Sequence, residues 1–474
     1  MTECTAEQLE FHHLGRRSIV GKFDGGTISS DGGGLLLREV DMRIGMMQRV
    51  AECFTDWRRA ELIEHPVQNL VAQRIYALAL GYEDLNDHEY LRRDSVLAAL
   101  VGSSDLKGER REREQDRGCP LAGPNTLNRL ELSTAAEAPF NRYKKIVADM
   151  DMLDRLLVDL FLESYDEAPE EIWLDLDATD DPLHGEQEGR FFNGYYDCYC
   201  YLPLYIFCGE HLLCARLRSA DKDASDGSEQ ELTRIVAQIR TRWPDTRICI
   251  RGDSGFCRNG IMSWCEANKV KYLLGFLKND RLLEAIREEL FEAKLEQWVT
   301  EEAARCFGDF RYQTRKSWDR ERRVVGKAEV LADGKANPRF VVTNIAKRRA
   351  GARKLYEELY CIRGDMENRI KEQQLGLFAD RTSCETMKAN QLRLYFSSFA
   401  YTLMQGLRRL GLSGTSMERA QCTRIRESLL KLGARITISV RRLCLSFTES
   451  YPYQGMFHQV LTNLRAHPMW HPSG

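Results

Sequence analysis

The sequence predicts a mixed α/β (α+β) chain built on a mixed sheet with helices on both faces. A β-strand insertion precedes the last helix of that sheet domain, an all-helical unit stands in front, and a mostly helical region follows. Three observations predict this. Apolar residues keep a helical period from Leu35 to about Val101, then switch at residue 172 to the alternation of strands. Three strand-like runs between residues 305 and 345 interrupt the order of strands and helices. A length of 474 residues is too great for one core.

Composition narrows the class. Hydrophobic residues make up 43% and charged residues 29% of the chain, as in soluble globular proteins. No apolar run approaches the roughly 20 residues of a membrane helix, since Gln73 and Arg74 break the best candidate, Leu70 to Tyr82. The N-terminus has acids and paired histidines where a signal peptide is basic and then apolar. The fifteen cysteines are scattered without a CxxC pair, which points to free thiols in a reducing cytosol and away from zinc. A cytoplasmic protein is expected.

In chain order, residues 1–34 read as an extended leader ending in Asp31-Gly32-Gly33-Gly34. Residues 35–165 read as a helical N-terminal DNA-binding unit. Within it Gly81 to Asp87 caps one helix and opens the next, and the mixed charges of Lys107 to Arg117 mark a solvated loop. The helix start at Pro124 to Glu131 suits either a plain helix terminus or one that meets DNA backbone. Residues 166–300 carry strands at Ile172–Asp177, Tyr195–Cys208, Leu212–Leu217, Arg247–Arg251 and Lys271–Leu277, with helices at Glu229–Arg242, Ile261–Asn268 and through about Leu295. Three strands, a helix, then alternating strand and helix is the order of an RNase H-like domain. Residues 301–346 form the inserted β element, 347–385 the last helix of the core, and 386–474 a mostly helical region, in which Ile436 to Leu445 suits strand or helix.

The chemistry sits on that frame. Tyr360, Arg363, Glu367 and Lys371 recur at helical spacing and share one face, a polar stripe unlike a core face. Asp177 closes the first strand and Asp253 the fourth, and in the expected sheet these strands are neighbours. Two strand-end aspartates facing a helix-borne glutamate are the carboxylate set that a two-metal phosphoryl-transfer site needs. A strand-end aspartate is also a common turn-former. Asp175, on the same strand face, and Asp180 and Asp181, in the turn, compete with Asp177. The insertion adds charge: residues 305–354 hold 15 Lys or Arg against 5 Asp or Glu, the footprint of a polyanion partner. Arg315, Lys316, Arg322 and Arg323 are its candidate phosphate contacts. Trp318, flanked by cations, suits either a base-stacking hairpin tip or ordinary packing.

Asp177-Ala178-Thr179, Arg251 to Phe256, and Tyr360-x2-Arg363-x3-Glu367 together resemble bacterial insertion-sequence transposases of the DDE type, and most closely the insertion-sequence thirteen-eighty family. Leu35 to Asp41, Gly81 to Asp87 and Asp177 to Gly194 are also similar to that family. The wider superfamily's Tyr-Arg-Glu signature continues to a lysine seven residues after the glutamate, where this chain has Gln374.

The resemblance implies an RNase H-like core with a β insertion and two Mg²⁺ (or Mn²⁺) ions on Asp177, Asp253 and Glu367. It implies phosphate contacts from Tyr360, Arg363 and Lys371, and double-stranded DNA partners in the form of terminal inverted repeats and target DNA. It also implies a homodimer on DNA, associated with the nucleoid when acting. The expected reaction is cleavage at transposon ends followed by strand transfer. The alternatives are an RNase H-like nuclease or resolvase that cuts without joining, and a DNA-binding protein without catalysis.

Overall fold

Alternation in two short segments builds the centre of the sheet. In β1 (Glu171–Ala178) Ile172, Leu174 and Leu176 point to one face and Trp173, Asp175 and Asp177 to the other. The structure, a computed structural model that describes residues 8–472, forms two compact units. One comprises residues 148–402; the other joins residues up to 147 with those from 403 onward.

The larger unit is organised on one eight-stranded sheet. After β1 come β2 (Leu204–Cys208), β3 (His211–Arg216), β4 (Arg247–Gly252), β5 (Lys271–Phe276), β6 (Ala304–Tyr312), β7 (Arg322–Val330) and β8 (Arg339–Thr343). Their spatial order is β3-β2-β1-β4-β5-β8-β7-β6. The first five form the expected RNase H-like arrangement, with β4 parallel to both β1 and β5. On one face Ile250, Tyr272, Leu274 and Val342 pack against α1 (Met150–Glu163), α2 (Ser228–Arg242) and α3 (Asn259–Ala267). On the other, Leu273, Val325 and Val341 pack under Leu355 and Tyr356 of a helical rod. The fold class is the one expected.

Several elements differ from expectation, each for a local reason. The inserted strands extend the main sheet, because Val341 and Val342 of β8 bury opposite faces and so suit an interior strand. Pairing with β8 also removes the exposed edge that β5 would leave. The run from Tyr195 to Cys208 is two strands, Cys198–Tyr201 and β2, because Pro203 between them has no N–H to donate. The helix expected from Lys347 to Gln374 changes gauge. It opens at Ala352–Lys354, widens to a π turn over Leu355–Tyr360, tightens to a 3₁₀ turn over Cys361–Arg363 and settles into α4 (Gly364–Leu377).

In the smaller unit the expected leader is structured over its described residues. Leu9–Leu14 and Arg17–Gly21 form a hairpin, and Thr27–Ser29 pairs with Ala434–Ile438. Residues 1–7 lie outside the described part. The region around Ile436 is a hairpin with Leu443–Phe447. Phe54–Asp56 and Ile146–Ala148 form a short ribbon among helices expected to stand alone. The helix Pro124–Glu131 is tied inward at its end, where Glu131 forms a buried ion pair with Arg74 (3.0 Å).

Gly33 is the tightest point of this unit. A Cβ there would lie 1.8 Å from the carbonyl oxygen of Leu429. Gly33→Ala is therefore expected to destabilise the protein by about 2 kcal/mol or more. Urea unfolding checks this, and an unchanged midpoint would disprove the close approach.

Candidate active site

Register brings the acids together. Arg251 lies beside Asp175 and Gly252 beside Leu176 in the parallel β1–β4 pair. One step further along, Asp177 and Asp253 are neighbours at the ends of the two strands. Asp253 caps the turn that follows β4, its Oδ1 accepting from the Gly255 N–H at 2.8 Å. Period-two alternation points Asp175 and Asp177 to the face that the helical rod covers.

The rod supplies the remaining groups. Beside its buried residues Met366, Ile370 and Gln373, the residues Arg363, Glu367 and Lys371 form an adjacent stripe. One Arg363 nitrogen lies 3.5 Å from Asp177 Oδ2, and another donates to Glu367 Oε1 at 2.9 Å. Asp177 is mostly buried and Glu367 about half exposed. Burial pushes the Asp177 carboxyl up to about 6; Arg363 pulls it down, while Asp253 and Glu367 push it further up. Burial likewise raises the Tyr360 hydroxyl. That hydroxyl lies against Gly275 of β5, where a Cβ would come within 2.5 Å of it and 2.9 Å of the Ser254 nitrogen. The structure thus groups Asp177, Asp253, Tyr360, Arg363 and Glu367. Lys371 is exposed on the next turn, outside this cluster.

Asp175 has a different task. It forms a bidentate, buried pair with Arg251 at 2.6 and 2.8 Å, and Arg251 also donates to the Leu359 carbonyl of the π turn at 2.7 Å. Asp181 is wholly buried. Gln374 Nε2 donates to its Oδ1 at 2.8 Å and to the Asp180 carbonyl at 3.1 Å. Burial pushes Asp181 up to about 8, so it is chiefly protonated at neutral pH.

The insertion's candidates divide. Arg315 and Lys316 are exposed on the β6–β7 connection. Arg322 and Arg323, expected at phosphate, are buried in ion pairs and correct that expectation. Arg322 pairs with Glu266 and Asp319, both at 2.9 Å. Arg323 grips Asp309 and donates to the carbonyls of Ile345 and Ala350. Trp318 is not an exposed tip. Its ring stacks on Phe276 at 4.9 Å and meets Tyr312 edge-on, which makes packing its role in this structure. Sequence reasoning missed Gly275 and Arg251. The available signals were a glycine inside an apolar strand and a charged residue next to Gly252 at the end of a buried one.

The carboxylates form an all-oxygen donor set suited to hard divalent cations. Their mutual repulsion at Asp177 is the imbalance such a cation relieves. Among the described residues no three acidic, histidine or cysteine side chains lie close enough together to hold a metal, and the Arg363 guanidinium stands between Asp177 and Glu367. The oxygen donors are of the kind hard divalent ions take, and in this structure the Arg363 guanidinium supplies the positive charge beside them.

A mixed sheet of this order, with aspartates at the ends of the adjacent strands β1 and β4 and a glutamate on the covering helix, is the arrangement expected of an RNase H-like domain. The chain belongs to the family described as transposase DDE domain group 1, whose model matches residues 11–469. Among solved structures it is similar to a chain of the piggyBac transposase synaptic complex with hairpin DNA, with a TM-score of 0.41 and 9% identity, over 84% of this chain and 79% of that one. No curated protein matches the sequence.

Two outcomes follow from the packing. Trp318→Ala is expected to cost about 3–5 kcal/mol of stability; a variant that unfolds at the same urea concentration as the natural chain contradicts the buried placement. For Asp181 the folded pKa lies above the unfolded one, so the folded state holds an extra proton between about pH 4 and pH 8. Stability is therefore lost as pH rises through that window. Asp181→Asn should lose less stability than the natural chain between pH 5 and pH 8, and parallel pH profiles would refute the assignment.

Proposed function

We propose that this chain is an insertion-sequence transposase, of the insertion-sequence thirteen-eighty kind. It binds the terminal inverted repeats of its element, cleaves the DNA there and joins the ends to target DNA. The observation that carries this reading is the meeting of Asp177, Asp253 and the Arg363–Glu367 pair at the ends of two parallel strands. Membership of the DDE family supports it. No helix among the described residues is long and apolar enough to cross a membrane.

Asp177, Asp253 and Glu367 are the residues that would hold two Mg²⁺ or Mn²⁺ ions. When bound, such ions stabilise charge on the transferring phosphate and lower the pKa of an attacking hydroxyl or water. The protein's own groups do the rest. Tyr360, wedged by Gly275 beside Asp253, presents its hydroxyl to the phosphate. Arg363 exchanges its carboxylate partners for phosphate oxygens, a planar fork suited to both. Arg315, Lys316 and Lys371, all exposed, draw in the DNA backbone, and binding accordingly weakens with salt. Two copies acting on two ends form the working assembly.

The test is a duplex of the terminal repeat and its flank, incubated with Mg²⁺. Asp177→Asn, Asp253→Asn and Glu367→Gln should each lower cleavage on the order of 10²–10³-fold or more while retaining DNA affinity. Near-natural cleavage by any of the three would remove that residue from the set. Joined products distinguish the transposase from a nuclease that only cuts.

A further inference from the structure

We propose that the hairpin of Phe191–Asn193 and Cys198–Tyr201 is a stacking platform for an unpaired nucleobase beside the scissile phosphate. The proposal rests on the transposase reading and adds a second kind of contact to it.

The hairpin rises directly from the catalytic strand. Together with residues 181–182 it forms a small three-stranded sheet following β1. The Tyr196 hydroxyl donates to the carbonyl of Ala178, the residue after Asp177, at 3.1 Å. Burial raises the pKa of that hydroxyl, and the charges of Asp180 and Asp177 add to it. Tyr196 thus ties the turn of the hairpin to the residue that follows Asp177. The ring of Tyr195 meets that of Tyr196 edge to face at 4.9 Å and is 89% exposed.

The turn is fixed. Asn193 Oδ1 accepts from the backbone N–H groups of Tyr195 and Tyr196, and its Nδ2 donates to the Ala220 carbonyl at 3.1 Å. On the strands Phe192 and Tyr199 form a cross-strand aromatic pair, both about half exposed, with Arg190 over the Tyr199 ring.

Six of the eleven residues 191–201 are Phe or Tyr, and none is Lys or Arg. The neighbouring cation, Arg190, lies over the Tyr199 ring and is paired with Glu186, so the groups that residues 191–201 offer DNA are ring faces, and every base presents a matching π-face. Trp318, the aromatic that its charged neighbours recommend for this task, is covered by Phe276 and Tyr312. Solvent exposure of several aromatics within one hairpin is costly unless a flat apolar group covers them in the working complex. The group available next to the acids is a base released from the duplex at the cleavage point.

The experiment uses the full chain and a terminal-repeat duplex carrying 5-iododeoxyuridine at each nucleotide flanking the scissile phosphate in turn, with Ca²⁺ in place of Mg²⁺. Irradiation should crosslink one position to the peptide containing residues 191–201, at Tyr195. In Mg²⁺, Tyr195→Ala should cleave roughly tenfold more slowly, and Tyr195→Phe, which keeps the ring, should cleave as the natural chain does. An abasic nucleotide at the crosslinked position should abolish the difference between Tyr195→Ala and the natural chain. Crosslinks confined to other peptides, cleavage by Tyr195→Ala at the natural rate, or a difference that persists on abasic DNA each overturn the platform. A natural chain that neither binds nor cuts the duplex overturns the transposase reading instead, so the two failures are told apart. Because Tyr195 is exposed, an unchanged melting temperature is expected for both variants.

Discussion

Arg251 ties together the three pieces of chain that the site needs. Its guanidinium lies between Asp175 on β1 and the Leu359 carbonyl on the helical rod, while its own backbone belongs to β4, and it stacks over the Trp173 ring. The two strands end in Asp177 and Asp253, and the rod carries Arg363 and Glu367. One buried cation therefore links the two strands and the rod on which Asp177, Asp253 and Glu367 lie. Removing one partner of such a pair strands the other charge in a low-dielectric interior, at about 3–5 kcal/mol. The Leu359 carbonyl lies where the rod passes from a wide turn to a tight one, and helix irregularities of this kind leave backbone groups open to outside partners. The rod is thus anchored to the sheet at its irregular turn, just before the regular helix that carries Glu367.

A second constraint is charge. Asp177 is desolvated and feels two other carboxylates, which by itself favours the protonated acid. Arg363 opposes this from a position in contact with both Asp177 and Glu367. Arginine suits the position better than lysine, because a planar fork reaches two carboxylates at once and is equally matched to phosphate. In this structure the one guanidinium bridges the strand-borne and the helix-borne acid.

Much of this was legible in the sequence. The strand order followed from period and spacing, and with it the neighbouring positions of Asp177 and Asp253 at the ends of β1 and β4. What the sequence hid was decided by tertiary partners. Arg322 and Arg323 look like surface cations, yet Glu266, Asp319 and Asp309 take them inside, because residues distant in sequence supply the counter-charges. Trp318 sits among cations in sequence, yet the nearest apolar surface in space is Phe276, 42 positions earlier. Gly275 gave only the weak signal of a glycine in a strand, and its reason, the Tyr360 hydroxyl, comes from another face of the fold. Pro203 divides the run from Tyr195 to Cys208, a break that its missing N–H makes legible in the sequence.

Gln374 shows how such hidden partners change the meaning of a departure from a motif. Taken alone, a neutral amide where the wider signature has lysine suggests a lost phosphate contact. In this chain the amide faces inward, donating to a wholly buried Asp181 and to the Asp180 carbonyl. A buried acid raised to about 8 is matched by a neutral donor, since a neutral pair avoids the desolvation cost of two ions. A lysine at the same place would have to ionise Asp181 or be left charged without a partner. Amide and protonated acid are therefore one choice made at two positions. Together they hold the turn after β1, and with it Asp177, against the helix that carries Glu367.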